Sequence, residues 1–165
     1  MASSGPPRPA VAIERALSAT ADVRALIGAL DAELAQHYTS EQRHGLALDA
    51  IFQPHIRFFI ARRDGEAIGC GGVALFADFA EVKRMYVREN ARGQGIADAI
   101  VAQLSAEAAA AGLSLLRLET GTQQAAAMRF YRRCGFTPCA IFEPYASMAP
   151  NAVATSVFLE KWLSR

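Results

Sequence analysis

The chain has 165 residues, 52% of them hydrophobic, which suits one domain around a single core and speaks against two. Seventeen basic against sixteen acidic residues leave a formal charge of +1, without the strong positive balance that a nucleic-acid partner favours. No apolar run is long enough to cross a bilayer, and "MASSGPPRPA" lacks the apolar centre of a secretory signal, so a cytoplasmic protein with no membrane partner is expected.

Residues 1–10, rich in proline and serine, are expected to form a loose tail, and residues 11–165 a single folded domain. From Thr20, the recurrence of Leu26, Leu30 and Leu34 with Ile27 beside them predicts an amphipathic helix ending near His37. "TSEQ" sets Thr39 and Gln42 at capping-box spacing, which predicts a second, shorter helix to about Asp49. Two β-rich runs then flank Asp64-Gly65, a tight-hairpin signal, and "FAEVKRMYV" follows as a third strand. In the first run, Phe58 and Phe59 alternate faces, so at least one belongs to the core. Strand alternation likewise sets Glu81, Lys83, Met85 and Val87 on one side of the third.

After Gly95 the period turns helical through Ile96, Ile100, Val101 and Leu104 as far as Ala111, and Gly112 is a natural stop. A strand "LSLLRLET", a helix from about Gln123 to Cys134 and an extended region from Phe136 complete the chain. This order predicts a mixed α/β sheet layered with helices, without internal repeats. Cys70, Cys134 and Cys139 match no common zinc spacing and are read as reduced thiols, and no metal is expected.

The chemistry concentrates in "NARGQGIADAI", residues 90–100, where a strand gives way to a helix. Backbone N–H groups in a helix's first turn lack intrahelical partners and the peptide dipoles add positive charge, so an anion is favoured there. Gly93 and Gly95 admit a phosphate close to those amides, and Arg92 adds a cationic fork. The bland alternative is an ordinary glycine-rich turn with a solvated arginine. Gly93-x-Gly95 with Glu119 further on imitates a dinucleotide fingerprint, but Asp98 stands where the third glycine is needed, and no Gly-Lys-Ser/Thr follows to make a Walker pattern.

Arg92-Gly93-Gln94-Gly95-Ile96-Ala97 resembles the R-x-x-G-x-G/A signature of the GNAT superfamily of N-acyltransferases, with "MYV" upstream as the fourth strand would stand. "QAAAMRFYRRCGF" resembles that family's second block, with Ala127, Phe130, Tyr131, Gly135 and Phe136 in register, while Gln124 replaces the usual asparagine. With the hairpin, the likeness covers roughly residues 57–137. It implies the GNAT fold: a mixed sheet of about seven strands, helices on both faces, and strands 4 and 5 splayed. The acyl donor would be acetyl-CoA, its pyrophosphate on the backbone of Arg92, Gly93, Gln94, Gly95, Ile96 and Ala97, and its pantetheine arm along Met85, Tyr86 and Val87. Gln124, Ala127 and Tyr131 would complete that surface. Family members usually pass the acyl group directly to an amine, which implies a small-molecule amine as acceptor.

Catalytic candidates follow from the same register. Tyr131 stands where many relatives carry the tyrosine that protonates the CoA sulfur, although spacing alone also fits a packing aromatic beside Ala127 and Met128. Glu81 matches a strand-4 glutamate used as base by some relatives, or forms a surface pair with Lys83. Glu119, ending strand 5, either orients substrate, acts through water or caps a turn. His37, His44 and His55 belong to no recognisable constellation and are read as surface or loop residues.

The tail, with Tyr145 ahead of "SVFLEKW", resembles a small bacterial-type branch of the superfamily. That likeness sets Tyr145, with Tyr38, at the acceptor pocket; a loop aromatic shielding the sheet is the alternative for Tyr145. A protein lysine or N-terminal acetylase and a non-catalytic acyl-CoA-binding module remain as other readings, and a homodimer is left open.

Overall fold

The computed structural model describes residues 10–164, so the expected loose tail lies outside the described residues except for Ala10. Seven strands form one mixed sheet: β1 (Ala12–Arg15), β2 (Ile56–Arg63), β3 (Glu66–Leu75), β4 (Ala80–Val87), β5 (Leu115–Gly121), β6 (Thr137–Pro138) and β7 (Ser156–Trp162). Their spatial order is β1-β2-β3-β4-β5-β7-β6. The helices are α1 (Ala21–Ala35), α2 (Ile96–Ala110), α3 (Ala125–Arg133) and the short α4 (Pro150–Val153). Every strand pairing is antiparallel except β4 with β5.

Local chemistry accounts for the main boundaries. The Thr20 side chain accepts a hydrogen bond from Val23 N at 3.4 Å and so caps α1, whose Val23, Leu26, Ile27 and Leu30 are buried. Asp64 and Gly65 both take positive φ, 52° and 78°, as a two-residue turn matched to strand twist requires. Phe58 and Phe59 are both core residues and sort the two layers. Phe58 packs in a cluster with Val23, Leu26 and Ile27 of α1. Phe59 belongs to the opposite cluster with Ile96, Ile100 and Leu104 of α2. The sheet is thus covered on both faces.

The helix expected over Thr39–Asp49 does not form. Two short 3₁₀ turns, Ser40–Gln42 and Leu48–Phe52, take its place. Gln42 Oε1 accepts from Thr39 N at 3.1 Å, so the capping interaction closes a single turn. Beyond it, Leu46, Leu48 and buried Ile51 turn into the α1-side core, a spacing that no helical stripe provides. The edge strand β1, pairing with Arg62 to Phe59 of β2, is too short for periodicity to announce.

A bulge in β4 sets up the site. Cys70 pairs with Tyr86 and Gly72 with Lys83, so Arg84 and Met85 together oppose Gly71, and Arg84 takes a φ of 57°. The extra residue reverses the alternation, correcting the expectation that Glu81, Lys83, Met85 and Val87 share one side. Met85 and Val87 pack against the α2-side core. Glu81 and Lys83 flank buried Val82 of that core and face the other way. Gly71 makes the reversal sterically feasible: a Cβ there would collide with Met85 Sδ and lie 2.7 Å from Ile100 Cγ2. β4 and β5 pair only at Ala80 with Leu116 and Glu81 with Arg117, and the strands part beyond that point.

Candidate active site

Parting strands leave the β5-facing edge of β4 without a ladder partner from Val82 onward, and two cavities meet in the gap. The larger, about 780 Å³, runs along Met85, Tyr86 and Val87 to the turn before α2. That turn is built on Gly93 and Gly95, with φ of 73° and 83°. A Cβ at either would meet no atom within 4 Å, so glycine serves here for the left-handed backbone and an unobstructed approach. Gly95 caps α2, and the free N–H groups of the helix's first turn lie beyond it.

Side chains of the turn are committed to the protein itself. Arg92 Nε donates to Val87 O at 2.9 Å, and its Nη2 reaches Glu33 Oε2, also at 2.9 Å. Gln94 accepts from Arg63 Nη1 at 2.5 Å and donates to Asn90 O at 3.2 Å. Arg92, Gly93, Gly95, Ile96 and Ala97 line the large cavity, whereas Gln94 does not. The anion-holding capacity of this turn therefore rests on backbone amides, with Arg92 tying the strand end to α1.

The smaller cavity, about 120 Å³, lies on the side of Glu81 and Lys83. Glu81 is 1% exposed. Its Oε2 accepts from the Tyr145 hydroxyl at 2.6 Å and stands 3.1 Å from Lys83 Nζ, which itself donates to the Tyr145 oxygen at 2.7 Å. The Glu81–Lys83 pair, one of the two readings of Glu81, forms inside the protein and not on its surface, and Tyr145 closes it into a triangle. Glu119 lines the same cavity from β5 and accepts no hydrogen bond among the described residues. Burial pushes its carboxyl from an ordinary 4.5 up to about 8, opposed by the Lys83 charge and reinforced by Glu81.

Tyr131 borders both cavities. Its ring packs against Phe130 and Phe136, with centroids 5.2 and 5.6 Å away, so the packing reading holds for the ring. Its hydroxyl makes no hydrogen bond among the described residues, and burial, with smaller contributions from Cys134 and Glu119, raises its pKa. Tyr38 is also buried; its hydroxyl accepts from Gln123 N at 2.9 Å and presses on Gly121, bracing the turn between β5 and α3. Gln124 caps that turn: its Oε1 accepts from Gly121 N at 3.0 Å and Thr120 Oγ1 at 3.2 Å. Ala127 joins Tyr131 and Gln124 where the cavities meet.

Arg43 and Arg84, which the sequence reading did not single out, line the smaller cavity, as do Lys83, read only as a surface partner of Glu81, and His44, read as a surface or loop residue. Arg84 emerges from the bulge, and its Nη2 meets Asp31 of α1 at 2.5 Å. His44 is a loop residue as expected, yet its Nε2 lies 2.6 Å from Ala152 O and its ring edges onto Tyr145, 5.4 Å between centroids. None has a local signal, because a bulge and two irregular turns bring them together. Among the described residues, no three His, Cys, Asp or Glu side chains converge as a metal site would need, and no helix is long and apolar enough to cross a membrane.

A sheet opened between a parallel strand pair, with a glycine turn at a helix start beside it, defines an acyl-CoA-dependent transferase architecture. The profile of the Acetyltransferase (GNAT) family matches residues 25–136, and the chain belongs to that family of acyltransferase enzymes. It is 42% identical over 138 residues to a protein named IAA acetyltransferase from Azospirillum brasilense, covering 82% of this chain and 87% of the other. It is 32% identical over 126 residues to the uncharacterized N-acetyltransferase YsnE of Bacillus subtilis strain 168, covering 74% and 80%. A crystal structure from Klebsiella pneumoniae, provisionally named acyl-CoA N-acyltransferase, superposes with a TM-score of 0.75 at 34% identity, over 93% of this chain and 98% of the other.

Proposed function

We propose that this enzyme transfers the acetyl group of acetyl-CoA to the primary amine of a small molecule, directly and within one ternary complex. The observation that carries this reading is the meeting of the two cavities at Tyr131, with Glu119 in the smaller one. The larger cavity has the lining the donor needs: open glycine amides for pyrophosphate at Gly93 and Gly95, and an unpaired strand edge at Met85–Val87 for the amides of the pantetheine arm. The Klebsiella protein's name refers to acyl-CoA as well.

Each step has a group on this chain. Glu119 takes a proton from the acceptor's ammonium, directly or through water, and leaves a neutral amine; a base with a pKa near the working pH suits that task. Backbone N–H near Val87 polarises the thioester carbonyl. The amine nitrogen then bonds to the carbonyl carbon, the C–S bond breaks, and the sulfur receives the Tyr131 hydroxyl proton, which the proton released by the nitrogen replaces through water. Because burial keeps Tyr131 neutral, it stands ready as a donor at any ordinary pH. Glu81, bound by Tyr145 and Lys83, orients the acceptor wall, and Glu119 takes the role of base.

The smaller cavity, about 120 Å³, has room for a small acceptor's amine end beside Glu119 and Tyr131. A cytoplasmic setting supplies acetyl-CoA and fits the reading. Incubating the enzyme with acetyl-CoA and a panel of small amines, lysine peptides and no acceptor tests it by thiol release. Amine-dependent release supports the reading; release only with peptides transfers it to protein acetylation.

A further inference from the structure

Building on the acyl transfer proposed above, we propose that the acceptor is an amino-acid-like zwitterion: its amine faces Glu119 and its carboxylate is read by Arg43, with Arg84 behind it. The reason is an imbalance among the charged groups of the 120 Å³ cavity. Two carboxylates, Glu81 and Glu119, and three cations, Arg43, Lys83 and Arg84, line it. Glu81 and Lys83 satisfy each other at 3.1 Å and are locked by Tyr145. The remaining members lack full partners.

Glu119 accepts no hydrogen bond among the described residues. Arg43 makes a single long one, Nε to Thr39 O at 3.4 Å, which leaves both of its Nη groups available. Arg84 has a side chain only 4% exposed and is held through Nη2 by Asp31, while its Nε is buried without a partner. Its guanidinium lies so close over Gly45 that a Cβ at that position would overlap Nη1. The loop 43–45 therefore carries Arg43 and covers Arg84 at the same wall. A partly buried charge without a partner is costly, and a ligand that supplies the opposite charge recovers that cost.

A ligand with an ammonium and a carboxylate a few bonds apart complements both ends at once. A polyamine would bring a second cation to Arg43, and a peptidyl lysine would offer it a neutral amide. A plain amine would leave it unpaired. The cavity volume, about 120 Å³, accommodates the two charged ends and a short connection. The carboxylate also anchors the substrate remote from the reacting nitrogen, which aligns the amine with the thioester.

The test compares kcat/KM for matched acceptors with acetyl-CoA: glycine and β-alanine against glycinamide, β-alaninamide and ethylamine, with wild type, Arg43→Gln and Arg43→Lys. The acids are expected to exceed their amides by about 10- to 100-fold, the range of a charge-assisted contact. Arg43→Gln shrinks that ratio to within about threefold through KM, Arg43→Lys restores part of it, and the CoA Kd stays unchanged in both. Amides or ethylamine used as well as the acids, or an acid preference that survives Arg43→Gln, would overturn the proposal while leaving acyl transfer to amines in place. No turnover with any of these acceptors would overturn both.

Discussion

Tyr145, on the loop before the last strand, places its hydroxyl 2.6 Å from Glu81 Oε2 on β4, and through that bond the C-terminal segment closes one wall of the smaller cavity. The same oxygen accepts from Lys83, so removing it loosens a buried charged pair.

Tyr145→Phe is expected to lower unfolding stability by about 1.5–3 kcal/mol, the range for a lost hydrogen bond to a charged group. Urea unfolding at pH 7 measures it. Activity falls through acceptor KM, while CoA affinity is retained because Tyr145 lines only the smaller cavity. A variant as stable as wild type would show that the Glu81–Lys83 pair stands by itself.

Glu119 carries the pH dependence. Burial raises its pKa from 4.5 to about 8, so the folded chain holds the proton more tightly than the unfolded chain. The associated stabilisation is complete below about pH 4.5 and is lost as pH rises through 8. Glu119→Gln is therefore expected to unfold at a higher temperature than wild type at pH 9, and at nearly the same temperature at pH 4. With Glu119 as the proposed base, catalysis is expected to run the opposite way, because only the carboxylate accepts a proton. Wild-type kcat/KM rises through an apparent pKa near 8, and Glu119→Gln loses both that limb and about 10²- to 10⁴-fold of the rate.

Tyr131→Phe keeps the ring packed against Phe130 and Phe136 and removes only the donor. Loss of kcat by about 10²-fold or more, with unchanged CoA Kd and an unfolding midpoint near that of wild type, is expected. Isothermal titration with CoA alongside stopped-time thiol release separates the two quantities. Unaltered kcat would reduce Tyr131 to a packing residue.

Gly95→Glu tests the donor site. A side chain at φ 83° costs about 1–2 kcal/mol, and this one extends a carboxylate into open space beside the free amides of α2. CoA binding is expected to weaken by at least about 100-fold while the circular dichroism of the fold persists. Retained CoA affinity would remove the pyrophosphate from this turn.

Wherever local periodicity or turn chemistry decides the structure, the sequence was readable. Asp64-Gly65 marked its hairpin, the Ile96–Leu104 stripe marked α2, and Gly93 and Gly95 marked the helix start. The segment Thr39–Asp49 misled because a capping pair specifies a first turn, not a continuation, and Leu46, Leu48 and Ile51 are recruited by the core under α1. The wall of the smaller cavity was legible in part: Glu81, Glu119, Tyr38 and Tyr145 were singled out, whereas Arg84 joins them from an extra residue opposite Gly71 that nothing in "EVKRMYV" signals. Tyr131 was singled out through its register with a known block, and it lies where the two cavities meet.

Initial velocities of thiol release, measured with acetyl-CoA and a small primary amine both varied, address direct transfer most closely. The account expects intersecting reciprocal plots, with release strictly dependent on the amine. Parallel plots would indicate an acyl-enzyme in place of a ternary complex, and tight CoA binding with no release to any amine would contradict the catalytic reading itself.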